Sequence, residues 1–155
     1  MNYEKYFPYK EIRPSQKEAI EFALESLINS KKRFVLIEAG TGVGKSAVGY
    51  TVAQTVLNKL RPPKEEDDIS PGSYYVTTQK ILQDQYIRDF GNLGMCSIKS
   101  SSNYNCTYKK GNSCADSHKE LRAEEKGSRF WNACVFGCFY KKEKDRFLNS
   151  KNSVT

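Results

Sequence analysis

The sequence predicts an α/β fold with parallel strands, and three features support this prediction. Residues 34–37, Phe-Val-Leu-Ile, form a short continuous apolar run, as expected of a strand buried on both faces of a parallel sheet. A glycine-rich turn and a helical apolar pattern from Lys45 to about Lys59 follow. Residues 74–77 then predict a second strand, and Thr78 or Gln79 leads into a helix that reaches Phe90. The order over residues 13–90 is therefore helix, strand, helix, strand, helix.

The first helix has a predicted start and an apolar face. Ser15 can cap it, and Glu18 three residues later completes a capping box. Apolar residues recur along it at helical spacing: Ile20, Ala23, Leu24, Leu27 and Ile28. Residues 61–63, Arg-Pro-Pro, end the second helix, and residues 64–72 predict a mobile surface loop.

Composition and charge limit the class of protein. The chain has 155 residues, contains no apolar run long enough to span a membrane, and shows no secretory signal at its start, which predicts a cytoplasmic or nucleoid-associated protein. Residues 1–95 carry 13 Lys/Arg against 12 Asp/Glu, whereas residues 96–155 carry 12 against 6. The basic part suits a nucleic acid, although a solvated basic surface has the same charge. Residues 95–128 are poor in aliphatic side chains, so we expect a metal centre to hold them.

The glycine-rich turn has the residue types of a phosphate-binding loop. Its glycines let successive backbone N–H groups point at phosphate oxygens, and the following helix adds its positive end. Lys45 is predicted to bind the β- and γ-phosphates of ATP, and the Ser46 hydroxyl to bind Mg²⁺. The general pattern opens with Gly, whereas this chain has Ala39. The predicted nucleotide-binding loop consists of Ala39, Gly40, Thr41, Gly42, Val43, Gly44, Lys45 and Ser46.

Several segments resemble, in the same order, those of the DinG/XPD-type iron–sulfur DNA helicases of superfamily 2. Residues 38–46 look like the Glu-Ala-Gly-Thr-Gly-x-Gly-Lys-Thr loop of that family, and residues 13–16 look like its Arg-x-x-Gln element. Residues 76–85 resemble its motif Ia, and residues 99–106 resemble the opening of its cluster domain. Cys138-Phe139-Tyr140 is similar to the Cys-Pro-Tyr that closes that domain, and residues 152–155 resemble the segment that returns to the motor domain.

The resemblance implies a domain organisation and a set of roles. It implies a partial RecA-like P-loop domain over residues 1–94, a small Cys-rich iron–sulfur domain over 95–142 and a return segment over 143–155. Gln16 would lie near the nucleotide base. The backbone of single-stranded or forked DNA would contact Thr77, Thr78 and Gln79, and charge alone adds Lys109, Lys110, Lys141 and Lys142 to its path.

Five cysteines form a second candidate site. In a cytosolic chain such a group is more often metal-binding than disulfide-bonded. The resemblance assigns Cys106, Cys114, Cys134 and Cys138 to a [4Fe–4S] cluster, whereas zinc or unligated thiols are the alternatives. Cys134 and Cys138 are four residues apart, which predicts that they share a helix face. Cys96 is expected to be a buried or free thiol. His118 could replace one of the four ligands, although a surface histidine is the expected state. The aromatic residues around the last two cysteines predict shielding of the cluster or stacking on DNA bases.

The expected function is ATP-dependent, 5′→3′ translocation on single-stranded DNA by a helicase of which this chain is the N-terminal portion. No apolar strand ending in Asp-Glu follows Ser46, since Asp67-Asp68 lie in the predicted loop. We therefore expect the chain to bind ATP but to hydrolyse it poorly without the C-terminal helicase domains, supplied in cis or in trans. The alternatives are a non-catalytic, metal-stabilised nucleic-acid-binding module and a P-loop small-molecule kinase.

Overall fold

The computed structural model describes residues 2–60, 72–121 and 127–155, and its residue contacts divide the chain into two compact units. The first unit runs to Ser73 and the second comprises Tyr74–Thr155. Most of the predicted loop at 64–72, with Asp67 and Asp68, lies outside the described residues. Among those residues no helix is long and apolar enough to cross a membrane. The predicted domain boundaries after residues 94 and 142 remain predictions.

Two α-helices form most of the described part of the first unit. Helix α1 (Pro14–Leu24) continues as a π-helical turn over Glu25–Asn29, and α2 covers Lys45–Leu60. A short 3₁₀ turn, Glu4–Tyr6, precedes them. The core between these elements consists of Tyr3, Ile20, Leu24 and Val48, with Ile28, Ile37, Val52 and Val56 packed against it. The predicted apolar faces of both helices therefore form the core of this unit.

The start of α1 differs from the prediction. Arg13 is the N-cap residue and Pro14 occupies the first helical position, where its fixed φ fits and its missing N–H costs nothing. Gln16, not Glu18, completes the cap, because its side-chain oxygen accepts the Arg13 backbone N–H at 3.0 Å. The cap thus lies two residues earlier than the predicted pair of Ser15 and Glu18.

The prediction of a buried strand at 34–37 is also wrong, both in the burial of its side chains and in its pairing with other strands. Among the described residues none forms a strand ladder with this segment. Phe34 and Leu36 are 86% and 91% exposed, whereas Ile37 packs against the core of the unit. The segment therefore covers α1 and α2 on one face only, since a parallel strand becomes buried on both faces only when neighbouring strands and a second layer are present.

Apart from Ser73, the first residue of β1, the second unit contains a three-stranded sheet with the order β1-β3-β2. Its elements are β1 (Ser73–Tyr75), α3 (Lys80–Phe90), β2 (Met95–Ser97), α4 (Cys114–Leu121), α5 (Ser128–Phe130), α6 (Phe139–Leu148) and β3 (Asn152–Val154). Further turns are 3₁₀ at Gly91–Leu93 and Ser101–Asn103, and π-helical at Trp131–Phe136. Strand β1 and helix α3 confirm the predicted second strand and third helix.

Strand β3 lies at the centre of this sheet. It pairs with β2 in parallel, with Met95 opposite Asn152 and Ser97 opposite Val154. On its other side the Thr155 N–H bonds to the Tyr75 carbonyl and the Thr77 N–H to the Thr155 carbonyl, at 3.0 and 2.8 Å. All three β3 residues are buried. The chain is therefore mixed α/β with a small parallel sheet, consistent with a partial RecA-like domain.

Candidate functional site

The glycine-rich segment has the backbone of a phosphate-binding loop. Gly42 and Gly44 have φ values of 82° and 84°, in the left-handed region that favours glycine. Helix α2 begins at Lys45 directly after the loop, so its first N–H groups and its positive dipole end face the loop. Ser46 lies in the first helical turn and is half-buried. These elements place the predicted phosphate-binding residues of the loop side by side.

Lys45 is exposed and its ammonium group turns back over the loop. Its Nζ donates to the carbonyls of Ala39 and Gly40, at 2.9 and 2.8 Å. Both acceptors are backbone oxygens at the opposite end of the loop. A polyphosphate that entered the loop would offer Lys45 anionic acceptors in their place, and hydrogen bonds between charged groups are the stronger kind.

Gln16, predicted near the nucleotide base, has a buried amide group that is bonded within the protein. Its oxygen accepts from Arg13, as described, and its Nε2 donates to the Val43 carbonyl at 2.9 Å. Arg13 also reaches the loop, with its guanidinium 3.5 Å from the Gly42 carbonyl. The Arg-x-x-Gln element therefore contacts the phosphate-binding loop directly, a contact that sequence spacing does not reveal.

The second unit brings four cysteines to one pocket. Cys106, Cys114, Cys134 and Cys138 all line a cavity of about 760 Å³, together with Ser117, His118, Tyr140 and Lys141. Cys96 lies apart from it in β2, with its thiol 3.9 Å from the Gly94 carbonyl. The set of cysteines assigned by resemblance is therefore the set that surrounds one cavity.

Backbone hydrogen bonds position the first two of these cysteines, Cys106 and Cys114. The Cys106 N–H bonds to the Asn112 carbonyl and the Cys114 N–H to the Tyr104 carbonyl, at 2.9 and 2.8 Å, so a short hairpin places both thiols at its base. Gly111, with φ 89°, lies in the turn of this hairpin. The Lys109 N–H donates to the Cys106 sulfur at 3.2 Å.

The last two cysteines do not share one helix face, contrary to the prediction from their spacing. Cys134 lies in the π-helical turn Trp131–Phe136, whereas Cys138 is the extended N-cap residue of α6. Gly137 separates them, and a Cβ there would lie 2.7 Å from the Asn132 carbonyl oxygen. A break in the helix, rather than one continuous turn, therefore directs both thiols to the cavity. The Thr107 hydroxyl, bonded to the Ala133 carbonyl at 3.0 Å, ties this segment to the hairpin.

The thiols influence each other's ionisation. Burial, and then the neighbouring Cys138 thiol, raise the pKa of Cys114 to about 11. Burial, followed by Cys106 and Cys138, raises the pKa of Cys134. Burial also acts to raise the pKa of Cys106, but the hydrogen bond from the Lys109 backbone and the neighbouring Ser117 hydroxyl outweigh it and lower that pKa. Several thiolates in one cavity therefore repel each other, and their ionisation is unfavourable in free energy unless a cation balances the charge.

Four cysteine sulfurs and the His118 side chain are the metal-binding groups that line the cavity, and four thiolates suit zinc or an iron–sulfur cluster. Within the described ranges, no three His, Cys, Asp or Glu side chains lie close enough together to hold a single metal ion.

The predicted DNA-contacting residues all lie in the second unit. Thr78 and Gln79 are exposed before α3, while Thr77 is half-buried and its N–H is bonded in the sheet. Lys110, Lys141 and Lys142 are exposed, and of these Lys141 borders the cysteine cavity. Two further lysines were not predicted as site residues. Lys80 donates to the Asn103 side chain and Lys99 to Asp84, both at 2.7 Å, and they join α3 to the segment that leads to the cysteines.

The loop, the lysine at the helix start and the α/β elements define a P-loop nucleotide-binding domain. The sequence model of a family described as type III restriction enzyme, res subunit, matches residues 9–149, and the chain belongs to this family. The family is one of helicase-like ATP-binding domains of superfamily 2, so the chain is a member of a helicase and ATPase class for which ATP, Mg²⁺ and nucleic acid are plausible ligands. No curated protein and no solved structure matches the chain significantly.

Proposed function

We propose that the chain is the ATP-binding N-terminal portion of a DinG/XPD-type DNA helicase that moves 5′→3′ on single-stranded DNA. The single observation that carries this proposal is the loop at 39–46, with two left-handed glycines and Lys45 at the start of α2. The helicase-like family supports the motor class. The DinG/XPD assignment rests on the collinear motifs and on the four thiols around one cavity.

In the proposed site Lys45 binds the β- and γ-phosphates and Ser46 binds Mg²⁺. Lys45 leaves the Ala39 and Gly40 carbonyls, to which it donates in this structure, when phosphate enters. The remaining backbone N–H groups of the loop then surround the phosphate oxygens. Hydrolysis in this class also needs an acidic group to polarise the attacking water, and we assign that role to no described residue.

Calorimetric titration with ATP and Mg²⁺ tests this site. Lys45→Ala is expected to weaken binding about 10- to 100-fold, since it removes charge-assisted hydrogen bonds. Lys59→Ala is the matched control, because Lys59 is exposed near the opposite end of the same helix. Equal ATP affinity in wild type and Lys45→Ala would refute the motor proposal.

We further propose that Cys106, Cys114, Cys134 and Cys138 hold a [4Fe–4S] cluster. The sulfur donors and the Lys109 N–H directed at the Cys106 sulfur suit such a group. When bound, the cluster cross-links the hairpin, α4 and the turn before α6. The four cysteines supply the ligands, and the buried Ser117 hydroxyl lies beside Cys106.

Anaerobic purification followed by visible absorption and iron, sulfide and zinc assays tests the cluster. Replacing any one of the four cysteines by serine is expected to remove most of the iron, whereas Cys96→Ser is expected to retain it. Cys96 is a suitable control because it is a half-buried cysteine of the same unit that does not line the cavity. Zinc found without iron would exclude the iron–sulfur assignment.

The proposed DNA path includes Thr77, Thr78, Gln79, Lys109, Lys110, Lys141 and Lys142. Binding of a fluorescent single-stranded oligonucleotide should weaken with salt, and Lys141→Ala/Lys142→Ala should reduce the slope of log K against log salt by about 0.7 for each lost phosphate contact. The exposed pair Lys10 and Lys17 of the first unit provides a control double variant with the same change in charge. An unchanged slope for the Lys141/Lys142 variant would remove these two lysines from the path.

A further inference from the structure

We propose that Gln16 is a positioning residue that holds the phosphate-binding loop and so supports binding of any nucleoside triphosphate, whatever its base. This inference rests on the proposed ATP-binding function and deepens it. It differs from the role that family resemblance implies for Gln16, which is contact with the nucleotide base. The distinction is testable because the two roles predict different dependence on the base.

The Gln16 side chain uses both ends of its amide within the protein. The oxygen accepts the N–H of Arg13, the N-cap residue of α1, and the Nε2 donates to the Val43 carbonyl in the loop. The whole residue is only 5% exposed. A buried amide with both of these bonds is costly to displace, because each lost bond leaves a polar group without a partner. Gln16 therefore joins the start of α1 to the loop, 27 residues further along the chain.

The contact fixes the orientation of one peptide group in the loop. In a trans peptide the C=O and N–H bonds point in opposite directions. Because the Val43 carbonyl points to Gln16, the N–H of Gly44 points away from it. Gln16 thus selects the direction of an N–H in the part of the loop where N–H groups are expected to face phosphate oxygens.

Gly44 allows the loop to lie directly against the Gln16 amide. A Cβ at residue 44 would lie 2.4 Å from Gln16 Nε2, closer than any van der Waals contact permits. Only glycine also adopts its φ of 84° without strain. Gly44, the third glycine of the loop, therefore allows both the curvature of the loop and its contact with α1. In contrast, a Cβ at Gly42 would meet no atom within 4 Å.

Titrations with Mg²⁺ complexes of ATP, GTP and inorganic tripolyphosphate separate the two roles of Gln16. A positioning role predicts that Gln16→Ala weakens all three by a similar factor of about ten, the equivalent of one or two lost hydrogen bonds. A base-contacting role predicts loss for ATP with tripolyphosphate unchanged, and that result would overturn the proposal. Lys17→Ala, an exposed neighbour on α1, is the control and should leave all three affinities as in wild type.

Gln16→Glu provides a second variant that keeps the cap of α1. Its carboxylate can still accept the Arg13 N–H but cannot donate to the Val43 carbonyl. Binding of all three ligands is expected to weaken, with the melting temperature of the ligand-free protein closer to wild type than in Gln16→Ala. Wild-type affinities in Gln16→Glu would overturn the positioning role, and this variant decides the matter if Gln16→Ala fails to fold. If wild-type protein binds none of the three ligands, the proposed function itself fails, and the positioning role with it.

Discussion

At the scale of single residues, the structure of the first unit depends on hydrogen bonds of buried polar groups as well as on its apolar core. Tyr3 belongs to the core and its hydroxyl donates to Glu21 at 2.9 Å. Burial, followed by the hydrogen bond to Glu21, raises the pKa of Tyr3 to about 12. The buried Gln16 amide likewise forms hydrogen bonds within the protein, to the backbone of Arg13 and of Val43. Neither contact follows from hydrophobic periodicity, which treats these residues only as members of a polar or an apolar face.

The raised pKa of Tyr3 predicts a loss of stability at alkaline pH. The neutral phenol is favoured in the folded state, so its contribution is complete below pH 10, the ordinary pKa of tyrosine, and is lost as the pH rises towards 12. Urea unfolding at several pH values should show a free energy of unfolding that declines over this interval. Tyr3→Phe should be less stable at neutral pH, and its free energy of unfolding should decline less steeply with pH. Part of the remaining decline should come from Tyr50, because burial also raises the pKa of that residue. Parallel curves for the two proteins would contradict the assignment.

At the scale of elements, the sequence predicted the long, periodic helices and strand β1, but not strands β2 and β3. Helices α2 and α3 match their predicted ranges, since each has enough apolar positions to define a face. Strand β3 was missed as a strand because its Asn152 and Ser153 are polar although both are buried. Residues 34–37 were predicted as a buried strand because apolar content alone does not supply hydrogen-bonding neighbours. The backbone of the glycine-rich loop and the start of α2 at Lys45 were predictable because the glycines and the lysine act within one local segment.

The helical geometry is interrupted between the π-helical turn Trp131–Phe136 and α6, and this interruption depends on Gly137. A Cβ at Gly137 would press on the Asn132 carbonyl oxygen at 2.7 Å and lie 3.3 Å from that of Ala133. Gly137→Ala is therefore expected to destabilise the second unit by about 1–3 kcal/mol. Under the proposed cluster assignment it should also lower the iron content after anaerobic purification. The measurements are thermal unfolding and an iron assay on the same sample.

Gly127→Ala is the matched control for that variant. Gly127 precedes α5, and an added Cβ there would meet no atom within 4 Å. Its unfolding and iron content are expected to stay close to wild type. Loss of stability in Gly137→Ala without any loss of iron would show that the break serves folding alone and does not position Cys134 and Cys138.

At the scale of the whole molecule, each unit is held together by contacts between distant parts of the sequence. In the second unit β3, which comes last in the chain, forms the centre of a sheet whose other strands begin some 55 to 80 residues earlier. Residues 152–155, which resemble the return segment of the helicase family, thus pair with both other strands of the sheet. The sequence did not predict these partners, because a three-residue strand carries too few side chains to specify a register.

Because β3 lies at the centre of the sheet, we predict that two valines of the second unit differ in how much they contribute to its stability. Val154 is fully buried in β3, whereas Val76, just after β1, is 83% exposed. Val154→Ala should therefore lower the free energy of unfolding by about 1.5–3 kcal/mol, the value of burying one such side chain, and Val76→Ala should change it by less than about 0.5 kcal/mol. Urea unfolding followed by fluorescence of Trp131 reports on this unit alone, because Trp131 lies in it and the sequence contains one tryptophan. Equal effects of the two substitutions would mean that β3 does not form the centre of the sheet in solution.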